Sequence, residues 1–122
     1  MQRVAELNNY TLNSTGDTIV EGFVDLSMYH DNGQTALIIW NNHYDPYSIP
    51  TVNLAAYGIV ADDDDHVILH DDGVYHNIWR DLSDLGIIEH HVTPLTYGPY
   101  ASRAVHAKLT PSVASQARSL RN

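Results

Sequence analysis

TIVEGFVDLSMYHDNGQTALIIW, residues 18–40, decides the fold. Its first half alternates. Val20, Gly22, Val24, Leu26 and Met28 share one parity, and Ile19, Glu21, Phe23, Asp25 and Ser27 share the other. Successive side chains of a strand point to opposite faces, so the first set is expected to face the core, with Phe23 as the complication. Asn32-Gly33 then lies between two β-prone runs. Glycine reaches the left-handed backbone region without steric cost, and asparagine tolerates it, so this dipeptide is a strong hairpin signal. TALIIW (35–40) is the returning strand.

Working outward, RVAELNNYTL (3–12) alternates loosely and reads as a first strand, with NSTGD (13–17) as the turn between them. NNHYDPYSIP (41–50) is a loop or an irregular edge, because Pro46 and Pro50 cannot donate to a ladder. TVNLAAYGIV (51–60) is a third candidate strand, and HVILH (66–70) is too short and too β-branched for a helix. Val74, Tyr75, Ile78, Trp79, Leu82 and Leu85 recur at helical spacing. Asp71 or Asp72 stands where an N-cap belongs, and Gly86 stands where a helix ends. The spacing predicts a helix over 74–85 that buries Ile78, Trp79 and Leu82. IIEHHVTPLT and YASRAVHAKLT close the sheet around Tyr97-Gly98-Pro99, and a weak helix follows, with Thr110 as N-cap and Pro111 in its first turn. The expected fold is α+β in one domain, residues 1–122. It has an antiparallel sheet of about five to seven strands, one packed helix and a weak C-terminal helix.

Charge is the main functional clue. The net charge is -9, and it is uneven. No Lys or Arg occurs from Val4 to Trp79, while Asp and Glu are frequent there. Phosphate binding needs a basic footprint, so direct contact with nucleic acid is not expected, and a basic protein surface is the more natural partner. The chain has no cysteine, which excludes disulfides and thiolate chemistry and suits a reducing cytoplasm. Its longest apolar runs are far too short to cross a membrane, and its opening residues lack the apolar core of a secretory signal.

No metal, cofactor or catalytic residue is expected. His66 and His70 on one strand place their Cα atoms about 13 Å apart, too far for two imidazoles to share a zinc ion. Asp62, Asp64 and His66 match the first beat of a calcium-binding loop, but Val67 replaces its central glycine and Gly73 its closing glutamate. There is no G-x-S-x-G elbow, phosphate-binding loop or dinucleotide fingerprint.

Binding is better represented. The loop WNNHYDPYS (40–48) gathers Tyr44, Asp45 and Tyr47, aromatic and acidic residues suited to an arginine-rich partner. Asp62, Asp63, Asp64 and Asp65 imitate a short run of backbone phosphates. These seven are the expected partner-binding residues. The stretch DPYSIPTVNL (45–54), followed by VILHDDG (67–73) and LSDLGII (82–88), resembles an uncharacterised domain family of phage and plasmid accessory proteins, a group that includes anti-CRISPR and anti-restriction inhibitors. The resemblance brings no catalytic residues and implies a protein that acts by binding. The resulting expectation is a non-enzymatic inhibitor in the host cytoplasm, blocking a basic nucleic-acid-binding surface on a larger defence protein. A viral structural or assembly protein is the second reading, and a small metal-dependent or hydrolytic enzyme the third.

Overall fold

The computed structural model describes residues 2–30, 32–42, 45–63 and 65–121. Among these residues the fold is α+β, with seven strands and two helices. β1 (Gln2–Thr11), β2 (Thr18–Met28), β3 (Thr35–Asn42) and β4 (Asp45–Ser48) form a four-stranded antiparallel sheet in that order. β5 (His66–His70), β6 (Ile88–Tyr97) and β7 (Ser102–Leu109) form a second antiparallel sheet in the order β5-β7-β6. The single expected sheet is therefore two. The four-stranded one is built from neighbours in sequence. The other depends on the distant register His66↔Lys108 to His70↔Ala104, which local patterning does not encode.

The β2–β3 hairpin forms as expected, and Tyr29 N–H donates to the Gln34 carbonyl at 2.8 Å. Gly33 supplies the left-handed residue, with φ of 70°. The register Val24↔Ile39 and Leu26↔Leu37 puts these residues on the inner face. Parity fails earlier in β2, where Ile19 is buried and Val20 is 65% exposed. The cause is Gly22. Its missing side chain leaves space that the Ile19 Cγ2 atom enters, 2.7 Å from where a Cβ would stand. Phe23 is buried on the outer face, stacked on Trp40 with ring centroids 6.0 Å apart and covered by the Arg3 guanidinium.

Residues 51–60 are not a strand. Thr51 makes one bridge to Leu69, and Ala55–Tyr57 is a 3-10 turn. The helix expected over 74–85 is shorter: α1 spans Ile78–Asp84. Gly73–Tyr75 is a separate 3-10 turn, and Asn77, at φ of 68°, turns the chain between the two. Val74 consequently faces solvent, while Ile78 and Leu82 are buried and Trp79 is half-buried. Neither aspartate is a regular N-cap. Asp71 accepts from the Asn77 N–H at 3.0 Å, and Asp72 from the Arg103 N–H at 3.1 Å. The end of α1 follows the sequence closely. Gly86 N–H donates to the Ser83 carbonyl and Ile87 N–H to the Leu82 carbonyl, the paired bonds of a glycine-terminated helix.

The C-terminal helix is firmer than expected. α2 (Pro111–Arg121) buries Val113, Ala114 and Ala117 and packs on β1, β2 and β7. Arg121 donates to the Gly33 carbonyl and the Thr35 hydroxyl, both at 2.8 Å, and so ties the helix end to the hairpin. The inner faces of both sheets, α1 and α2 share one apolar core. Among the described residues no helix is long and apolar enough to cross a membrane.

Candidate interaction surface

The outer face of the three-stranded sheet carries the chemistry. On β5 and β7, Val67, Leu69, Val105, Ala107 and Leu109 face the core. Alternation then sends His66, Ile68, His70, Ala104, His106 and Lys108 to the other face. The segment after β4 crosses that face. His70 N–H donates to the Pro50 carbonyl and Val52 N–H to the Ile68 carbonyl, so this segment runs along the open edge of β5. Leu54 then covers Ile68 and Ala104, forming a second, smaller apolar cluster with Ile59, Ala61, Leu95 and Tyr97 around it.

What this segment leaves outside is aromatic, aliphatic and acidic. Tyr57 is 55% exposed and Val60 57%. The Tyr57 ring meets Tyr97 edge-on at 5.4 Å, beside the β6–β7 turn. Tyr100, in that turn, is 91% exposed. At the other end, Asp62 and Asp63 are exposed beside His106 and His66. Ser102, which pairs with Tyr97, lies four residue steps along β7 from His106, a span of about 13 Å. Tyr57, Tyr100, Val60, Asp62 and Asp63 thus line one side of the molecule.

The expected site residues divide differently. Asp62 is exposed, and its N–H donates to His106 Nε2 at 3.2 Å. Asp63 accepts from the Asp65 N–H at 2.8 Å and lies 2.6 Å from His66 Nδ1. The His66 bond, then that backbone bond, hold its carboxyl below the usual range. Asp65 is committed internally, accepting from Arg118 of α2 at 2.5 Å. Tyr47 is half-buried and donates to Asp17 at 2.6 Å, so it braces the β1–β2 turn. Burial, then the Asp17 bond, raise its phenol above the usual value. Asp45 is exposed on the edge strand. Tyr44 and Asp64 lie outside the described residues. Asp45 pairs with Asn42 at the far end of β3, whereas Asp63 and His66 share a cavity with Thr35 at its start. Seven residue steps of strand, about 23 Å, lie between the two ends. The expected aromatic loop and aspartate run are not one face.

Tyr57 and Tyr100 were legible only as aromatics within two residues of glycines, Gly58 and Gly98. His106 had no local signal, since its partner His66 lies in a distant strand. Another concavity lies elsewhere. It is a cavity of about 530 Å³ beside α1, where Ser83 Oγ and His90 Nδ1 are 2.5 Å apart. A serine–histidine nucleophile needs a third group to orient the imidazole. Among the described residues no carboxylate is hydrogen-bonded to His90. No family model, curated protein or solved structure matches the chain.

Proposed function

We propose that the protein acts by binding, as a non-enzymatic, anti-CRISPR-like inhibitor that occupies a basic, nucleic-acid-binding surface of a larger host defence protein in the host cytoplasm. The carrying observation is that exposed Tyr57, Val60 and Tyr100 share the outer side of the three-stranded sheet with exposed Asp62 and Asp63. Aromatic anchors provide contact area at low entropic cost, and neighbouring carboxylates select a cationic partner and speed its approach. The charge pattern supports the same reading. Among the described residues, Glu6 and Asp65 alone of the acids are ion-paired with Lys or Arg, so little of the negative charge is neutralised by a strong base.

The test is displacement of DNA from a panel of purified RNA-guided and restriction nucleases. The reading expects release of DNA from one of them, weakened at least tenfold by the double variant Tyr57→Ala, Tyr100→Ala, and weakened by Asp62→Asn at low salt only. Release that neither variant changes would remove this surface from the function. A second reading, an assembly protein, draws on the ten-residue β1 lying at the border of its sheet, where a second chain can add a strand. Sedimentation would show ordered self-association if that reading holds.

A further inference from the structure

We propose that Asp62, His66 and His106 form a binding site for one divalent transition-metal ion, zinc before the others. This inference is independent of the inhibitor reading. It replaces the His66–His70 pair weighed from sequence, which β5 does hold at opposite ends of one strand.

One ligand atom from each of Asp62, His66 and His106 lies within 4.8 Å of the other two. The strands bring the histidines together. His66 pairs with Lys108 and Ile68 with His106, so the two imidazoles are diagonal neighbours on the outer face. Their side chains are only 20% and 18% exposed, unlike those of a solvated histidine. Two half-buried imidazoles with a carboxylate make a donor set suited to Zn²⁺, Co²⁺ or Ni²⁺, and poorly suited to Mg²⁺ or Ca²⁺, which take oxygen ligands.

The hydrogen bonds prepare His66 and engage His106. With neutral imidazoles, His66 Nδ1–H donates to Asp63 at 2.6 Å, leaving the Nε2 lone pair free. This carboxylate–histidine contact is the kind that orients a metal ligand and raises its basicity. His106 Nε2 accepts the Asp62 N–H at 3.2 Å, so that nitrogen carries a lone pair that an ion must take over from this hydrogen bond.

The site closes on binding rather than standing ready. The rings are stacked at 4.8 Å with planes inclined by 11°. An imidazole lone pair lies in the ring plane, and two nearly parallel planes do not meet at one ion. One ring must therefore turn. In a tetrahedral zinc site, neighbouring ligand atoms are about 3.3 Å apart, given bond lengths near 2 Å. Each gap closes by at most about 1.5 Å, through the turn of that ring and of the Asp62 side chain, which is 76% exposed.

The experiment is calorimetric titration of the full chain with Zn²⁺ alone in chelator-free buffer, paired with Co²⁺ absorption to report coordination. One ion per chain is expected, with at least a tenfold loss of affinity in His66→Ala, His106→Ala and Asp62→Asn. About a tenfold loss is expected in Asp63→Asn, which removes only the orienting contact. His90→Ala should bind as wild type does, and millimolar Mg²⁺ should not compete. Should an alanine variant fail to fold, His106→Asn takes its place. Zn²⁺-dependent shifts of the His66 and His106 ring signals in wild-type NMR spectra give a readout that needs no variant. Equal affinity in wild type and the His106 variants would place the ion on the aspartates alone and overturn the proposal. So would the absence of any Zn²⁺ binding, or equal binding of Mg²⁺.

Discussion

Gly22→Ala is the sharpest test of how the four-stranded sheet is built. Gly22 has an ordinary strand conformation, so the substitution tests space, not backbone freedom. A Cβ there would fall well inside contact distance of the Trp40 carbonyl oxygen on β3 and 2.7 Å from Ile19 Cγ2. An inserted methyl in a packed site costs about 1–3 kcal/mol. The upper end applies, because a main-chain carbonyl in a ladder cannot rotate aside as a side chain can. Alanine recovers about 0.5–1 kcal/mol by restricting the unfolded chain. The net loss is therefore about 2 kcal/mol. For a domain of this length that lowers Tm by about 8 °C. Gly33→Ala is the control. Nothing lies within 4 Å of its Cβ position, but its φ of +70° strains any L-residue. That strain is about 1–2 kcal/mol, offset by the same recovery, so its net loss is about 1 kcal/mol or less. Thermal melts by circular dichroism and urea titration measure both. If Gly22→Ala melts within about 2 °C of wild type, or above Gly33→Ala, the close approach at Trp40 is not what organises β2.

Two further predictions concern pH. Burial raises the Asp25 carboxyl above its usual 3.8, against the pull of Arg3 and the N-terminus. The folded state then holds this proton more tightly than the unfolded chain, so the contribution is full below 3.8 and lost as pH rises through the folded value. Asp25→Asn is accordingly expected to melt no lower than wild type at pH 7, with the difference shrinking toward pH 3; a lower Tm at pH 7 would count against it. Burial lowers the His70 imidazole below its usual 6.5, opposed by Asp72. Here the unfolded chain binds the proton better, so stability is full above 6.5 and falls as pH drops from there toward the folded value. The Tm of wild type relative to His70→Gln should decline between pH 7.5 and 5, and a constant difference would refute the assignment.

Residues whose structure depends on near neighbours were readable from sequence. The Asn32-Gly33 hairpin, the strand at His66–His70 and the glycine ending of α1 all follow from patterns a few residues long. The failures have a common origin in contacts between distant segments. Whether seven strands make one sheet or two depends on β5 finding β7, far along the chain. The 51–60 segment has strand composition, yet Leu54 is drawn onto Ile68 and Ala104, and the backbone bends into a 3-10 turn to deliver it. The helical period from Val74 holds only from Ile78, because Asn77 adopts a left-handed conformation that spacing cannot reveal. At the surface, tyrosines look alike in sequence. Tyr47 became a bracing residue because Asp17 and Thr15 lie within reach of its hydroxyl, and Tyr100 an exposed one because it occupies a turn.

The aspartate run shows why charge read along a chain is a poor guide to charge presented to a partner. Asp62, Asp63 and Asp65 are close in sequence but do different work. Asp65 anchors α2 through Arg118, and Asp63 fixes its own loop and His66. Among these three, only Asp62 has a largely solvent-facing side chain with no short side-chain hydrogen bond, its nearest ring nitrogen being 3.8 Å away. Replacing the whole run with asparagine therefore removes a helix tether and a loop bond together with the outward charge, and slowed binding would not identify its cause. Single replacements separate the terms. Exposed charges act over about one Debye length, near 10 Å at 0.1 M salt, and mainly set the association rate. A tether acts through folding and is felt at any ionic strength where the pair survives. Salt dependence, residue by residue, is thus the property that distinguishes an aspartate facing a partner from one that holds the fold together.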